Sequence, residues 1–182
     1  MNFDLAQHSI FTMNTIVAIS CVQALEKKCD LNFNIKWPND ILSANKKIAG
    51  ILIENNFKNA SEIQSIIGIG INVNQLSFEN LPRASSLALL SNCSFDRQIL
   101  LDTILEQLQA NFELLKIKNA SYFWDLYHHY LFKKDIVATF EKNDGTKFVG
   151  KIKAVNQDGK LQIEIENNIT VAFDIKEVTL LY

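Results

Sequence analysis

The string Lys36-Trp37-Pro38-Asn39-Asp40 places an ammonium group, an amide and a carboxylate within five residues, between apolar neighbours. Proline lacks a backbone donor and drives the preceding residue towards an extended conformation, which predicts a short strand that ends here. The amide and the carboxylate are then presented on the turn that follows. The tryptophan is expected to pack structurally.

A second cation follows shortly afterwards. Residues 43–46 have the polar composition of a hairpin turn between two apolar runs. Folding of this hairpin brings Lys47 back towards Asn39 and Asp40. An ammonium beside a carboxylate and an amide, on strand ends, indicates a site that handles anions. The alternative, an exposed hairpin whose charges are solvated, stays open on the pattern alone.

Glycines in the neighbouring strands suggest what lies beside these charges. Gly50, inside a predicted strand, indicates the close approach of a ligand or of another backbone. Gly68 and Gly70 alternate with isoleucines in the next strand, so they form either a flat floor for a small ring system or a strand bent by a bulge. Asn72, where that strand ends, carries an amide that can donate and accept at the edge of a heterocycle.

The elements that position these residues follow from hydrophobic periodicity. Residues 7–28 predict a helix with a broad buried face, and a later helix begins after a cap at Ser94 or Asp96. Its apolar side is expected to include Ile99 and Leu105. A third helix is predicted at 120–131. The predicted strands of the first sheet are 33–36, 41–43, 47–55 and 62–73.

The composition changes after residue 131. Five short strands separated by turn residues predict a small barrel, and we expect two domains, 1–131 and 132–182. The predicted strands are 136–141, 147–156, 161–166, 170–173 and 178–181.

Composition excludes several classes of function. The net charge of −2 over 182 residues argues against a nucleic-acid partner bound by a basic surface. No window approaches the roughly 20 apolar residues of a membrane span, and the first residues lack the features of a signal peptide, so we expect a cytoplasmic protein without a membrane partner. The three cysteines lack CxxC spacing, which predicts reduced thiols and no metal site.

Three motifs, in order and at matching spacing, closely resemble the core motifs of biotin protein ligases. The resemblance extends over nearly the whole chain and is weakest near its two ends. It implies an α+β fold over 1–131, a mixed β-sheet with packed helices of the class II aminoacyl-tRNA synthetase/biotin ligase type, followed by an SH3-like barrel over 132–182. The motifs are Lys36-Trp37-Pro38-Asn39-Asp40, Lys47-Ile48-Ala49-Gly50-Ile51-Leu52-Ile53-Glu54 and Gly68-Ile69-Gly70-Ile71-Asn72-Val73-Asn74.

The resemblance also implies a reaction. These ligases use ATP to activate biotin as biotinyl-5′-AMP, with Mg²⁺ accompanying the nucleotide, and then transfer the biotinyl group to a lysine of a biotin carboxyl carrier protein domain. Lys47 matches the lysine that contacts the biotin carboxyl and phosphate oxygens. Asp40 matches the aspartate that receives the acceptor lysine, and Asn39 and Lys36 order that corner.

Further residues match the substrate pocket of the family. Gly50 and Gly68 match glycines beside the biotin bicycle, and Asn72 matches the asparagine that reads adenine. Ile51 and Gly70, within the same motifs, are assigned to the biotin and adenylate pocket.

The chain also departs from the family pattern. The Gly-Arg-Gly-Arg loop and the Ser/Thr-rich segment before it have no counterpart, and the two arginines are Arg83 and Arg97. We therefore expect an N-terminally incomplete ligase with little or no activity, whose exposed sheet edge favours association, including a homodimer. No DNA-binding winged helix is recognised. A non-catalytic binding protein and a lipoate ligase-like transferase stay open as alternatives.

Overall fold

The computed structural model describes residues 2–4, 9–57 and 62–182. The chain divides into two compact units, Met1–Tyr130 and Leu131–Tyr182. The helix predicted from residue 7 begins at Ile10 in the described part of the chain; residues 7 and 8 lie outside it.

The described residues of the first unit form a five-stranded sheet and four helices. The sheet order is β1-β5-β4-β3-β2. The strands are β1 (Asn2–Asp4), β2 (Phe33–Lys36), β3 (Asp40–Ser43), β4 (Lys46–Phe57) and β5 (Glu62–Ile71), and the helices are α1 (Ile10–Glu26), α2 (Leu87–Ser91), α3 (Arg97–Ile117) and α4 (Ala120–Tyr130). The short helix α2 was not predicted.

The expected mixed sheet is corrected to an antiparallel one. Every pair of neighbouring strands in the described part of this sheet is antiparallel. The connections from β2 through β5 are short, and short connections permit only antiparallel neighbours. The parallel contact recorded beside the sheet is a single bridge between Lys47 and Ala84.

Helix α1 forms the centre of the first unit. Its apolar residues are buried on nearly all sides, as the predicted broad buried face requires. Phe11 stacks on Trp124 of α4 at 5.9 Å and meets Tyr127 edge-on at the same centroid distance. Burial of Cys21 in this helix raises the pKa of its thiol to about 12. The three cysteines are free, as predicted.

Helix α3 confirms its predicted cap and corrects part of its predicted apolar side. The carboxylate of Asp96 accepts from the backbone N–H groups of Gln98 and Ile99, at 2.8 and 3.1 Å. Ile99 and Leu105 are more than half exposed, whereas Leu100 is buried. The predicted apolar face was therefore wider than the surface that the neighbouring helices cover.

The second unit is a five-stranded antiparallel sheet in the order β10-β6-β7-β8-β9. Gly145 and Gly159 adopt φ values of 82° and 84° in the predicted tight turns, where glycine is favoured. Among the described residues no ladder joins the edge strands β9 and β10, so a closed barrel is not found and the SH3-like barrel stays a prediction. The strands are β6 (Val137–Lys142), β7 (Lys147–Val155), β8 (Leu161–Glu164), β9 (Thr170–Phe173) and β10 (Val178–Leu181).

Candidate functional site

The predicted hairpin between β3 and β4 forms with a two-residue turn. Ala44 and Asn45 both adopt positive φ, 48° and 59°, as a type I′ turn requires. Ser43 pairs with Lys46 at the closed end of the hairpin, and Asp40 pairs with Gly50 at the other end. The hairpin therefore returns the start of β4 to the residue that follows the Trp37-Pro38-Asn39 turn.

A bulge in β4 decides where Lys47 points. The register between β3 and β4 shifts at Ile41/Leu42, which leaves Ile48 without a partner in β3. In a regular strand, residues three apart point to opposite faces, but one extra residue restores them to the same face. Ile48 and Ala49 are accordingly both buried, while Lys47 lies on the face of Gly50.

Lys47 and Asp40 form a close ion pair on this face. The Lys47 Nζ lies 2.6 Å from Asp40 Oδ1, as the predicted hairpin implied. A Cβ atom at Gly50 would lie 3.3 Å from both Cε and Nζ of Lys47 and 3.6 Å from Asp40 Oδ1. The missing side chain of Gly50 thus leaves the space that the ion pair occupies.

Lys36 is the second cation beside the Asp40 carboxylate, with its Nζ at 4.0 Å from Oδ2. Burial, together with repulsion from Lys47 and Arg83, lowers the pKa of Lys36 below its ordinary value of 10.5, while Asp40 opposes this change. The Asp40 carboxylate therefore lies beside two ammonium groups, those of Lys36 and Lys47. This excess of positive charge suits an anionic ligand.

Asn39 has a structural role in the site, because it forms two hydrogen bonds with the backbone of β4. Its side-chain Nδ2 donates to the Ile51 carbonyl oxygen at 2.6 Å, and the Ile51 N–H donates to the Asn39 carbonyl oxygen at 2.9 Å. The pair of bonds holds the turn against β4 and fixes Asp40 above Gly50. The Ile51 side chain is only 3% exposed and points away from Gly50, so its contribution on this face comes from its backbone. Trp37 is also buried, as expected.

The glycines of β4 and β5 form a continuous, open shelf. Gly50 pairs with Gly70 and Leu52 pairs with Gly68, in a register that runs without a shift to Phe57. The structure therefore favours the flat floor over the bulged strand. Beyond Gly68, the side chains of Leu52 and Ile66 are 61% and 57% exposed, which adds an apolar surface to the shelf.

Asn72 lies at the end of the glycine strand. Its backbone N–H donates to the Ile48 carbonyl oxygen at 2.8 Å, and its side-chain Nδ2 donates to the Ser85 carbonyl oxygen at 3.0 Å. One side-chain N–H of Asn72, the residue predicted to read adenine, is therefore hydrogen-bonded within the protein. The nearby Asn74 amide both donates to and accepts from the backbone of Phe95, which indicates a structural role.

The segment 82–88 crosses the ends of β4 and β5. The Lys47 N–H donates to the Arg83 carbonyl oxygen at 2.7 Å, and the Ser85 N–H donates to the Lys47 carbonyl oxygen at 3.0 Å. Leu87 donates to the Asn72 carbonyl oxygen at 3.0 Å. This crossing segment was not predicted to lie beside Lys47.

Comparisons with known proteins identify the family of this chain. The model of the biotin/lipoate A/B protein ligase family matches residues 2–72, which contain every site residue predicted from the sequence. The bifunctional ligase/repressor BirA of Bacillus spizizenii is 30% identical over 162 residues, 86% of this chain and 49% of the relative. The chain belongs to the biotin protein ligase family.

Other members show how far the likeness extends. The biotin–acetyl-CoA-carboxylase ligase of Mycobacterium tuberculosis is 34% identical over 87 residues, 48% of this chain and 30% of that protein. The Aquifex aeolicus biotin protein ligase in complex with biotin and ATP superposes with a TM-score of 0.77 at 24% identity, over 99% of this chain and 76% of that one. At this identity the likeness shows the fold. The chain spans about half the length, or less, of the curated relatives named here.

The residues that the structure describes contain neither a candidate membrane span nor a candidate metal-binding group. No helix there combines the length and the apolar character needed to cross a bilayer. The same described residues contain no group of three or more histidine, cysteine, aspartate or glutamate side chains that could hold a metal ion.

Proposed function

We propose that this chain is a biotin protein ligase that activates biotin with ATP and transfers the biotinyl group to a lysine of a biotin carboxyl carrier protein domain. The observation that carries the proposal is the Lys47–Asp40 ion pair on the Gly50 shelf, with Lys36 beside it. This arrangement combines a cationic site, where two anions can be brought together, with a carboxylate that can accept a proton. Family membership supports the same reaction.

In the first step, a biotin carboxylate oxygen attacks the α-phosphorus of ATP and pyrophosphate leaves. Two anions must meet, and negative charge builds up on the phosphate oxygens. The Lys47 ammonium neutralises this charge, and the Lys36 ammonium contributes further positive charge. Mg²⁺ accompanies the ATP phosphates rather than a dedicated cage of protein ligands.

In the second step, the amine of the acceptor lysine attacks the biotinyl carbonyl, an amide forms and AMP leaves. The acceptor lysine must first lose a proton from its ammonium group. Asp40 is the carboxylate at this position and accepts that proton. Asn39 keeps Asp40 in place through its two hydrogen bonds to the backbone of Ile51.

The glycine shelf binds the biotin bicycle in this proposal. Gly50, Gly68 and Gly70 present a backbone surface without side chains, and the exposed Leu52 extends it with apolar area. Asn72 reads the adenine edge with the part of its amide that does not donate to Ser85.

We further propose that this chain binds biotin but turns it over slowly or not at all, because no Gly-Arg-Gly-Arg string occurs in its sequence. The second unit is proposed to be the SH3-like domain of the family. A cytoplasmic location and a homodimer formed through the sheet edge complete the proposal.

Calorimetry with biotin, with and without ATP, tests the function. Wild-type protein is expected to bind biotin, and Lys47→Ala is expected to weaken this binding about tenfold or more, because a charge-assisted contact is lost. Lys116→Ala, which removes an exposed lysine paired with Glu113 in α3, is the matched control and should bind as wild type does. A folded Lys47→Ala protein that binds biotin as tightly as wild type contradicts the proposal.

A lipoate ligase-like activity is the second candidate, because the matching family model includes lipoate ligases. Titration with lipoate in place of biotin separates the two. Binding of lipoate in preference to biotin would favour this candidate, and biotin binding without adenylation in the presence of ATP would favour a non-catalytic binding protein.

A further inference from the structure

Ser86 is a fully buried serine whose hydroxyl joins two segments of the first unit. Its oxygen accepts from the Leu89 N–H at 3.1 Å, which caps helix α2, and its O–H donates to the Gln75 carbonyl oxygen at 2.6 Å. A helix cap needs only the accepted bond. The donated bond ties the start of α2 to the segment that follows β5, so the capping of α2 does not account for it.

The backbone of α2 is joined to the same segment. The Leu87 N–H donates to the Asn72 carbonyl oxygen at 3.0 Å. The Ala88 N–H donates to the Val73 carbonyl oxygen at 2.9 Å. Strand β5 ends one residue before this segment, so these two bonds and the bond from the serine hydroxyl hold residues 72–75 where the sheet ladder stops.

The side-chain amide of Asn72 is oriented by this junction. Its Nδ2 donates to the Ser85 carbonyl oxygen at 3.0 Å, and it makes no other side-chain hydrogen bond among the described residues. One N–H and the Oδ1 atom are therefore left to face a ligand side by side. A donor and an acceptor in this arrangement match adenine, whereas guanine presents a carbonyl oxygen where adenine presents its amino group. Recognition of adenine thus depends on how the amide is held.

We infer that Ser86 is a positioning residue for adenine recognition, which acts through Asn72 and does not itself touch the nucleotide. This inference rests on the function proposed above, in which Asn72 reads the adenine edge. The carbonyl group that orients the Asn72 amide belongs to Ser85, the residue directly before Ser86. The bond from Ser86 to Gln75 therefore fixes both the acceptor of the amide and the segment that carries it.

The test compares the Kd of α,β-methylene ATP with that of its guanosine counterpart in calorimetry; neither analogue can release pyrophosphate. Wild type is expected to bind the adenosine analogue about tenfold more tightly or better, and Ser86→Ala is expected to reduce this preference to about threefold or less. Ser86→Thr keeps the hydroxyl and is also a good cap, so it should retain the preference. The Kd of biotin, which is assigned to the glycine shelf, should be unchanged in both variants.

Ser20→Ala is the matched control. Ser20 is also fully buried, donates to the Ile16 carbonyl oxygen at 2.7 Å and accepts from Asn111 Nδ2 at 2.9 Å, with all its partners in helices α1 and α3. This variant should keep the preference for the adenosine analogue. A substitution that only destabilises the protein raises the Kd of both analogues by one factor, because only the folded fraction binds, and so leaves their ratio unchanged.

Each other outcome has a distinct meaning. An unchanged preference in folded Ser86→Ala, or loss of the preference in folded Ser86→Thr or Ser20→Ala, overturns the inference and leaves the proposed function intact. Biotin binding by wild type without a preference between the analogues overturns the adenine role of Asn72 and this inference, while the biotin site stands. Absence of biotin and both analogues from folded wild-type protein overturns the proposed function and this inference with it.

Discussion

Substitution of Asp40 by asparagine separates the two roles that the ion pair implies. The Lys47 ammonium is held by the Asp40 carboxylate at 2.6 Å, so an anion that binds to Lys47 competes with this carboxylate. Asp40→Asn removes the competing charge with little change in side-chain size. We therefore expect the variant to bind biotin more tightly than wild type and to lose the transfer step.

The expected change in the biotin Kd follows from the solvent exposure of the Lys47–Asp40 ion pair. The Lys47 side chain is 47% exposed and that of Asp40 is 19% exposed, so solvent screens their attraction. Such a pair contributes about 0.5–1 kcal/mol. At about 1.4 kcal/mol per tenfold change in Kd, the biotin Kd falls roughly two- to fivefold in Asp40→Asn.

The assay has two parts. Calorimetry compares the biotin Kd of wild type and variant, and a single-turnover reaction follows transfer from preformed biotinyl-5′-AMP to the acceptor domain. Loss of the proton acceptor should slow transfer by roughly 10²-fold or more. Asp125→Asn, at an exposed position of α4, is the control that should leave both measurements unchanged. Weaker biotin binding by a folded Asp40→Asn protein, or unchanged transfer, would refute the reasoning.

Two glycine substitutions test the shelf and the second unit. A Cβ at Gly68 would lie 3.7 Å from the Leu52 carbonyl oxygen, an ordinary contact, so Gly68→Ala should change the free energy of unfolding by less than about 0.5 kcal/mol while weakening biotin binding in calorimetry. Unchanged biotin binding would exclude Gly68 from the floor. At Gly150 a Cβ would lie 2.6 Å from Ile163 Cγ2 and 2.8 Å from the Glu164 carbonyl oxygen, so Gly150→Ala should destabilise the second unit by about 1–3 kcal/mol in urea unfolding. Wild-type stability of that variant would contradict the packing described here.

Local chemistry made much of the site predictable. The Ser43-Ala44-Asn45-Lys46 turn and the proline at 38 act over a few residues, so the approach of Lys47 to Asp40 could be derived before the fold was known. For the glycines of β5, the sequence left two conformations open, a flat floor and a strand bent by a bulge. The unbroken register of β4 with β5 decided that choice, and register depends on a partner strand that the glycine pattern does not encode.

The features that the sequence did not determine depend on contacts between distant segments. The backbone of Arg83 lies beside Lys47 only because the crossing segment pairs with that lysine, 36 residues earlier in the chain. The exposure of Ile99 and Leu105 reflects how much of α3 its neighbours cover. Closure of a barrel likewise depends on whether the edge strands β9 and β10 meet, which turn chemistry alone does not determine.

The bulge at Ile48 links the fold to the chemistry. Without it, Lys47 would share the buried face of Ala49, where an unpaired ammonium is strongly disfavoured. Asp40 would then face the glycine shelf without its closest counter-ion, and its negative charge would repel a carboxylate that approached it. With the bulge, Lys47 joins Asp40 above Gly50 and the local charge becomes positive. A one-residue shift in register thus decides whether this face of the sheet repels or attracts the two anions that the proposed reaction must join.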